Sequence, residues 1–482
     1  MTINMPGTAV FKQFNKFAQE NQSLIQKALT TATGVGEALI PESLEKIITD
    51  TLIRLSPELA LIETKKIASD NHKFNRLVER PSRGGAMGES ATTPVSSSKT
   101  ARASIDLKIV RRKGKVTNFL IDTSEEYIDA AAYEMENHIQ SHVLDLIYYL
   151  IWGNADANTY EYSGLEQFIS TNREPFSAAS GGAVPTSLAF LDDMIDKSNR
   201  KGGARHRRAF IMSPEMLSKV SSLLTNVRLN QGLQGSGLSQ VDIPGGWRLN
   251  AYRDIPIIES TSVSPIEDMT DVTVTLTKQA APTGGAMSNG TYYVYVSPVT
   301  LEGEQAPTAE GSVTLDAGTA VQGIKVDFDI VHQTNGVESP LSYKIYMGTS
   351  TGAANCVLVK EVSAFTYDSE GAPDGDNGVD ESIYILSATA DSSVPSHLQS
   401  DIPLVASGGY YPQSVVLWDL DPIQGLGKFP FTNKAGDRFE GLVVTKPLAE
   451  TDDFIQFLTK SYCALCDSYE ATSYWLRNIR VA

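Results

Sequence analysis

Residues Asn289 to Glu304 read NGTYYVYVSPVTLEGE. Tyr and Val alternate along this stretch, Gly and Glu crowd its end, and no helical period runs through it, which predicts a β-hairpin. The flanking chain is patterned differently, with long helical periods and mixed α/β segments. The stretch therefore decides how many domains the 482 residues make.

Charge marks out the segment around it. Between Asp271 and Ala390 stand 15 acidic and 4 basic residues, so −11 of the formal net charge of −17 lies there. The other residues carry 42 acidic and 36 basic side chains. That asymmetry predicts a separate, solvated β module. It also argues against general nucleic-acid affinity, which rests on basic surface. With 41% hydrophobic and 20% charged residues the composition is that of a globular protein, and no window approaches the roughly 18 apolar residues of a membrane span. The start of the chain, MTINMPGTAVFKQFNKFAQENQ, has neither the basic opening nor the apolar core of a secretory signal, so folding in a reducing cytosol is expected.

Upstream, Phe11, Phe14, Phe17 and Ile25 suit a weakly amphipathic arm, and GEALIPESLEKIITDTLIRL predicts a helix with Pro41 in its first turn. HKFNRLVE and ASIDLKIVRRKGKVTNFLI are strand-like. They flank RPSRGGAMGESATTPVSSSKT, a tip with little to bury, so a long protruding hairpin over 71–122 is expected, marginal unless it lies on a neighbour. Thr123 and Glu126 offer a capping box for a helix over 124–153, whose apolar residues recur from Ile128 through Leu150. RRAFIMSPEMLSKVSSLL predicts strand, Ser–Pro turn and helix, and GWRLNAYRDIPIIES two short strands.

Catalytic signatures are missing from the sequence. There is no nucleophile elbow or P-loop, and the glycine pairs lie in polar loops. His138 and His142 have chelating spacing but lack the following Glu and a third ligand, so packed or solvated histidines are expected. Cys463 and Cys466 form one CxxC inside an apolar run, and with Cys356 they read as buried structural thiols. DGDNGVDE (374–381) departs from EF-hand spacing and reads as an acidic loop. No enzyme, cofactor or metal is expected. The basic clusters KIVRRKGK and RKGGARHRR have no interleaved aromatics for base stacking, and docking on an acidic neighbour explains the first equally well.

The order of arm, GEALIPESLEKIITDTL, hairpin with a GES-bearing tip, long helix and IWGNADANTYEYSGLEQFI resembles the major capsid proteins of tailed phages, of the Hong Kong 97-type fold. RRAFIMSPEMLSKVSSLL and WRLNAYRDIPIIES look like that family's strand–Pro–helix segment and the strand pair after it. The resemblance covers about residues 36–265 and 403–482. It implies an α+β fold with an N-terminal arm (1–35) and a peripheral domain (36–185) carrying the extended loop (71–122) and spine helix (124–153). An axial domain in two parts (186–267 and 396–455) and a return to the peripheral domain (456–482) complete it. Residues 268–395 resemble an inserted immunoglobulin-like or fibronectin type III-like sandwich, expected to project outward and to be removable without loss of assembly.

The resemblance also implies self-assembly into hexamers and pentamers of an icosahedral virion shell, put together in the host cytoplasm. Portal, separate scaffolding or decoration proteins and nonspecifically bound double-stranded DNA are the implied partners, with no membrane. Extended-loop residues Arg83, Glu89, Lys108, Arg111, Arg112 and Lys113 are the candidate subunit-interface positions. An encapsulin-like nanocompartment shell and, further off, an immunoglobulin-like adhesin or carbohydrate-binding protein are the alternatives.

Overall fold

The computed structural model describes residues 58–61, 64–66, 70–81, 86, 88–89, 92, 95–124, 129–205, 207–231, 239–243, 247–263, 274–280, 287–316, 322–328, 340–364, 383–420, 431–433, 444–448, 453–467 and 469–481. The expected N-terminal arm, the helix over GEALIPESLEKII and the acidic loop 374–381 lie outside them. Among the described residues no helix is long and apolar enough to cross a membrane.

Strands β1 (Asn71–Glu79) and β2 (Lys99–Asp106) pair antiparallel, Asn71 opposite Asp106 and Glu79 opposite Lys99. This is the expected hairpin, but its second strand is shorter than the sequence suggested. The chain turns at Leu107, whose N–H donates to the Asp70 carbonyl (2.8 Å), and continues as β3 (Lys108–Thr117), which leaves the hairpin. Ile105, Leu107 and Val110 pack against the main core, and that anchorage divides the run in two.

The expected strand residues NFLI instead begin a short helix, α1 (Asn118–Ser124), with the Leu120 N–H held by Thr117 Oγ1. The long helix α2 spans Ala130–Trp152, 23 residues or about 35 Å. Its N-cap is Asp129, whose carboxylate accepts from the Ala132 N–H at 3.0 Å. The capping box at Thr123 is therefore corrected: its hydroxyl donates back to the Phe119 carbonyl, and Glu126 lies outside the described residues. Helix α2 buries His142, Leu146, Ile147, Tyr148, Leu150, Ile151 and Trp152, all in its C-terminal half.

Next come β4 (Arg173–Pro175), α3 (Ala189–Arg200), β5 (Arg208–Met212), α4 (Pro214–Gln231), β6 (Ser239–Ile243), β7 (Trp247–Tyr252) and β8 (Ile255–Glu259). The strand–Pro–helix expectation holds, and Ser213 caps α4 by accepting from the Met216 N–H. The β7–β8 turn puts Arg253 and Asp254 at positive φ. Phe190, Leu191, Met194 and Ile195 of α3 pack with Phe210, Met212, Met216 and Val220.

The opening stretch is a hairpin. Strand β9 (Val274–Ala280) precedes β10 (Gly290–Thr300), which turns at Leu301–Glu302 into β11 (Gly303–Glu304). Strands β12 (Gly311–Leu315), β13 (Gln322–Phe328), β14 (Ser342–Gly348), β15 (Val357–Ser363) and β16 (Ile383–Ile385) follow. They form two antiparallel sheets, β9–β13–β16 and β11–β10–β14–β15, with β12 also pairing β10. Tyr292, Val294, Tyr343 and Ile345 of one sheet share a core with Ile324, Val326, Ile383 and Ile385 of the other. The larger sheet also buries its second face: Val299, with Leu301 and Leu341 beside it, belongs to the main core around α2. A solvated module would leave that face wet, so here the structure departs from the charge-based expectation.

The return strands are β17 (Pro412–Asp419), β18 (Val444–Pro447), β19 (Phe454–Cys463) and β20 (Tyr474–Arg480). Strand β17 is buried throughout and lies between β20 and β5 in a seven-stranded sheet, β4–β20–β17–β5–β8–β7–β6. A three-stranded sheet β18–β19–β3 lies along α2, where Gly114 leaves room for the Phe457 ring; a Cβ there would come within 2.2 Å of it.

Candidate assembly surface and buried charge seam

The candidate interface residues separate into distinct environments. Arg83 lies outside the described residues, and Glu89 is exposed at the hairpin tip. The four basic candidates sit on β3, not on the hairpin. Lys108 Nζ donates to the Thr159 carbonyl (2.6 Å), and Arg112 grips Asp145 of α2 through both carboxylate oxygens (2.9 and 2.8 Å). Alternation along the strand points those two inward and leaves Ile109, Arg111, Lys113 and Lys115 on the open face. Arg111 stands opposite Lys460 of β19, a like-charge cross-strand pair that disfavours the sheet in isolation.

Apolar exposure concentrates on the same region. Of the eleven exposed large apolar side chains among the described residues, six lie between Leu77 and Leu120: Leu77, Val78, Val95, Ile109, Phe119 and Leu120. Phe119 is 73% exposed and Val78 66%. Arg76, midway along β1, donates to the Asp467 carbonyl (3.0 Å), and beyond it Leu77, Val78 and Glu79 are exposed.

The histidines and cysteines have structural surroundings. His138 pairs with Glu134 (3.3 Å) and meets the Phe457 ring edge-on, whereas His142 lies 2.8 Å from Ser461 Oγ. Burial, aided by Arg112, pulls the His142 imidazole down to about 4. Cys356, Cys463 and Cys466 are buried and form no disulfide, and burial pushes the Cys463 thiol up to about 12. A cleft of about 340 Å³ opens beside α3, and two acidic residues lining it, Glu174 and Asp193, are cross-linked by Lys197 at 2.7 and 2.8 Å.

The sequence did not signal the densest cluster of buried charge among the described residues. Where the two-sheet segment meets α2 and the seven-stranded sheet, six buried charges interlock. Lys344 of β14 bonds Glu166 (2.7 Å) and Glu304 (3.3 Å). Arg173 holds Glu166 (3.0 Å) and Asp401 (2.6 Å), and Arg477 joins Glu304 (3.0 Å) and Asp401. Three cations face three anions, none more than 14% exposed. The Tyr346 hydroxyl adds a donor to Glu304. Burial works to raise the Glu166 carboxyl, but Lys344, Arg173 and Arg477 outweigh it and hold the group below its ordinary range. Asp401 is held at about 2, burial being overcome by the same two arginines.

Trp152 closes the seam. Its ring lies 5.5 Å from Trp475 and 5.3 Å from Lys344 Nζ, its Nε1 donates to the Ser262 carbonyl (2.9 Å), and Gly303, at φ 110°, lets β11 approach it. No catalytic arrangement of nucleophile, base and oxyanion donors is evident among these groups.

No family model matches the chain, and no curated protein matches it. Solved structures similar to it include the SrpI encapsulin of Synechococcus elongatus (10% identity, 94% of this chain and 98% of that one, TM-score 0.41). The capsid of a native GTA particle (8%, 94% and 98%, 0.44) and a structure from Gordonia phage Cozz (10%, 93% and 96%, 0.43) are similar to a like degree.

Proposed function

We propose that this chain is a shell-forming structural protein of the Hong Kong 97 type, the major capsid protein of a tailed phage, whose activity is self-assembly. The observation that carries the reading is the hairpin β1–β2, together with the exposed Phe119 and Leu120 of α1. A hairpin whose first strand runs about 30 Å and whose end exposes Leu77, Val78 and Glu79, with Val95 beyond it, is marginal in water and gains its burial from a neighbour. The resemblance of element order supports the same reading. On it, the hairpin and the open face of β3 (Arg111 and Lys113) lie against an adjacent subunit in hexamers and pentamers. Residues 186–267 and 396–455 make the axial domain, and 268–395 is an immunoglobulin-like insertion on the outside of a shell around double-stranded DNA.

Electron microscopy of the purified full-length chain tests this. Closed shells or capsomers of uniform size are expected. The double substitution Leu77→Asp with Val78→Asp, on an exposed part of the hairpin, should leave the subunit folded by circular dichroism but abolish shells. A chain that stays monomeric at high concentration under every salt condition would overturn the proposal, as would unchanged assembly of the double variant.

A further inference from the structure

Two more carboxylates lie in the same buried seam with no cation bonded to them among the described residues. Glu161, in the loop after α2, accepts from the Asn154 N–H (3.3 Å) and from Asn158 Nδ2 (2.9 Å). Glu361, on β15, accepts from Asn154 Nδ2 (2.7 Å) and from Ser342 Oγ (3.3 Å). Asn154 thus reaches both, its side chain toward the segment and its backbone toward the body. Its remaining side-chain bonds, to the Ser393 carbonyl and from the Asp156 and Ala157 N–H groups, fix that position. Tyr148 of α2 donates to Ser342 Oγ (3.1 Å).

Among the described residues every group bonded to either carboxylate is a neutral amide or hydroxyl. The charged groups facing them are Lys344 and Glu166, with Arg173, Arg477, Glu304 and Asp401 behind, and those six already balance. Lys360, the residue before Glu361, pairs with Asp391 instead (3.3 Å). A buried carboxylate without a counter-charge favours its protonated form.

We propose that Glu161 and Glu361, bridged by Asn154, form a proton-held clasp that fastens the two-sheet segment to the body. Closing the seam takes a proton from solvent onto each carboxyl, and opening returns it. Burial pushes both groups up to about 7, from about 4.5 when solvated. The sign follows from that difference. Closure is fully favoured below about pH 4.5 and weakens as pH rises toward about 7, above which both states are ionised and the dependence levels off. Within that window the open fraction rises by up to about tenfold per pH unit for each proton lost. The clasp acts inside one subunit and does not depend on assembly.

Hydrogen–deuterium exchange on the full chain at pH 5, 6, 7 and 8, corrected for intrinsic rates, reads the seam through β14 and β15 and uses β5 as internal reference. In the native protein the protection of β14 and β15 relative to β5 should fall at least tenfold from pH 5 to pH 7 and then level off. With Glu161→Gln and Glu361→Gln together the fall should vanish. Infrared spectra of the native chain carrying isotope-labelled Glu should show buried protonated carboxyls at pH 5.5, a readout that holds even if the double variant does not fold. Protection independent of pH, the same fall in the double variant, or fully ionised glutamates at pH 5.5 would each overturn the clasp.

Discussion

Lys344 carries its charge with no solvent exposure, and its two carboxylate partners come from opposite sides of the seam. Such a network gives modest net stability when complete, because desolvation offsets attraction, but removing one partner leaves charge uncompensated. Lys344→Met is therefore expected to cost about 3–5 kcal/mol in urea unfolding; a loss below about 1 kcal/mol would show that the remaining charges rebalance. Asp401 behaves oppositely to the clasp carboxyls. Its folded value of about 2 lies below the ordinary 3.8, so its contribution is present above about pH 4 and lost as pH falls toward 2. That contribution is about 2 kcal/mol, and Asp401→Asn should remove the steep acid limb between pH 4 and 2 as well as lowering stability at pH 7. An unchanged acid limb would exclude the role. None of these residues was legible as a site, because partners such as Lys344 and Glu166 stand 178 positions apart and no local spacing records their meeting.

At the scale of elements, the apolar period of α2 predicted the helix but placed its start too early. Thr123 and Glu126 have the right identities for a cap, yet Thr117 starts α1, which takes in Thr123, and α2 is capped by Asp129. Substitutions distinguish the two. Asp129→Ala should lower stability by about 1 kcal/mol through loss of the cap, and Thr123→Ala by less than about 0.5 kcal/mol; the reverse order in thermal or urea melts would restore the sequence-based cap. The hairpin was legible for a related reason. The tip between its strands is too polar to pack, and β1 alternates half-buried and exposed positions only near its base. That KIVRRKGK leaves the hairpin was not legible, since period-2 patterning states that a segment is extended but not which strand it pairs with. The partner, β19, lies over 300 residues downstream.

At the scale of the whole molecule, the acidic segment has a two-sheet core of its own, as its Tyr/Val alternation suggested. Its charge is only partly at the surface, because Glu304, Glu361 and Lys344 are turned into the seam. Replacing residues 268–395 by a short linker would strip Trp152 of its cover and take one anion and the central cation from the network. The expected outcome is an insoluble or molten product, monitored by expression yield and near-ultraviolet dichroism. A cooperative, soluble deletion product would instead show that the body closes without the segment. Features that depend on neighbours in the chain are written locally: α2 in its apolar period, α4 in the Ser213–Pro214 start, the β10–β11 hairpin in alternation and turn residues, and the polar tip between β1 and β2 in its lack of anything to bury. Tertiary structure alone decided which strands pair, which face of the segment is dry and which charges meet. Those outcomes rest on contacts between residues far apart in the chain, where burial in a low-dielectric seam, rather than local propensity, sets both the partners and the protons they hold.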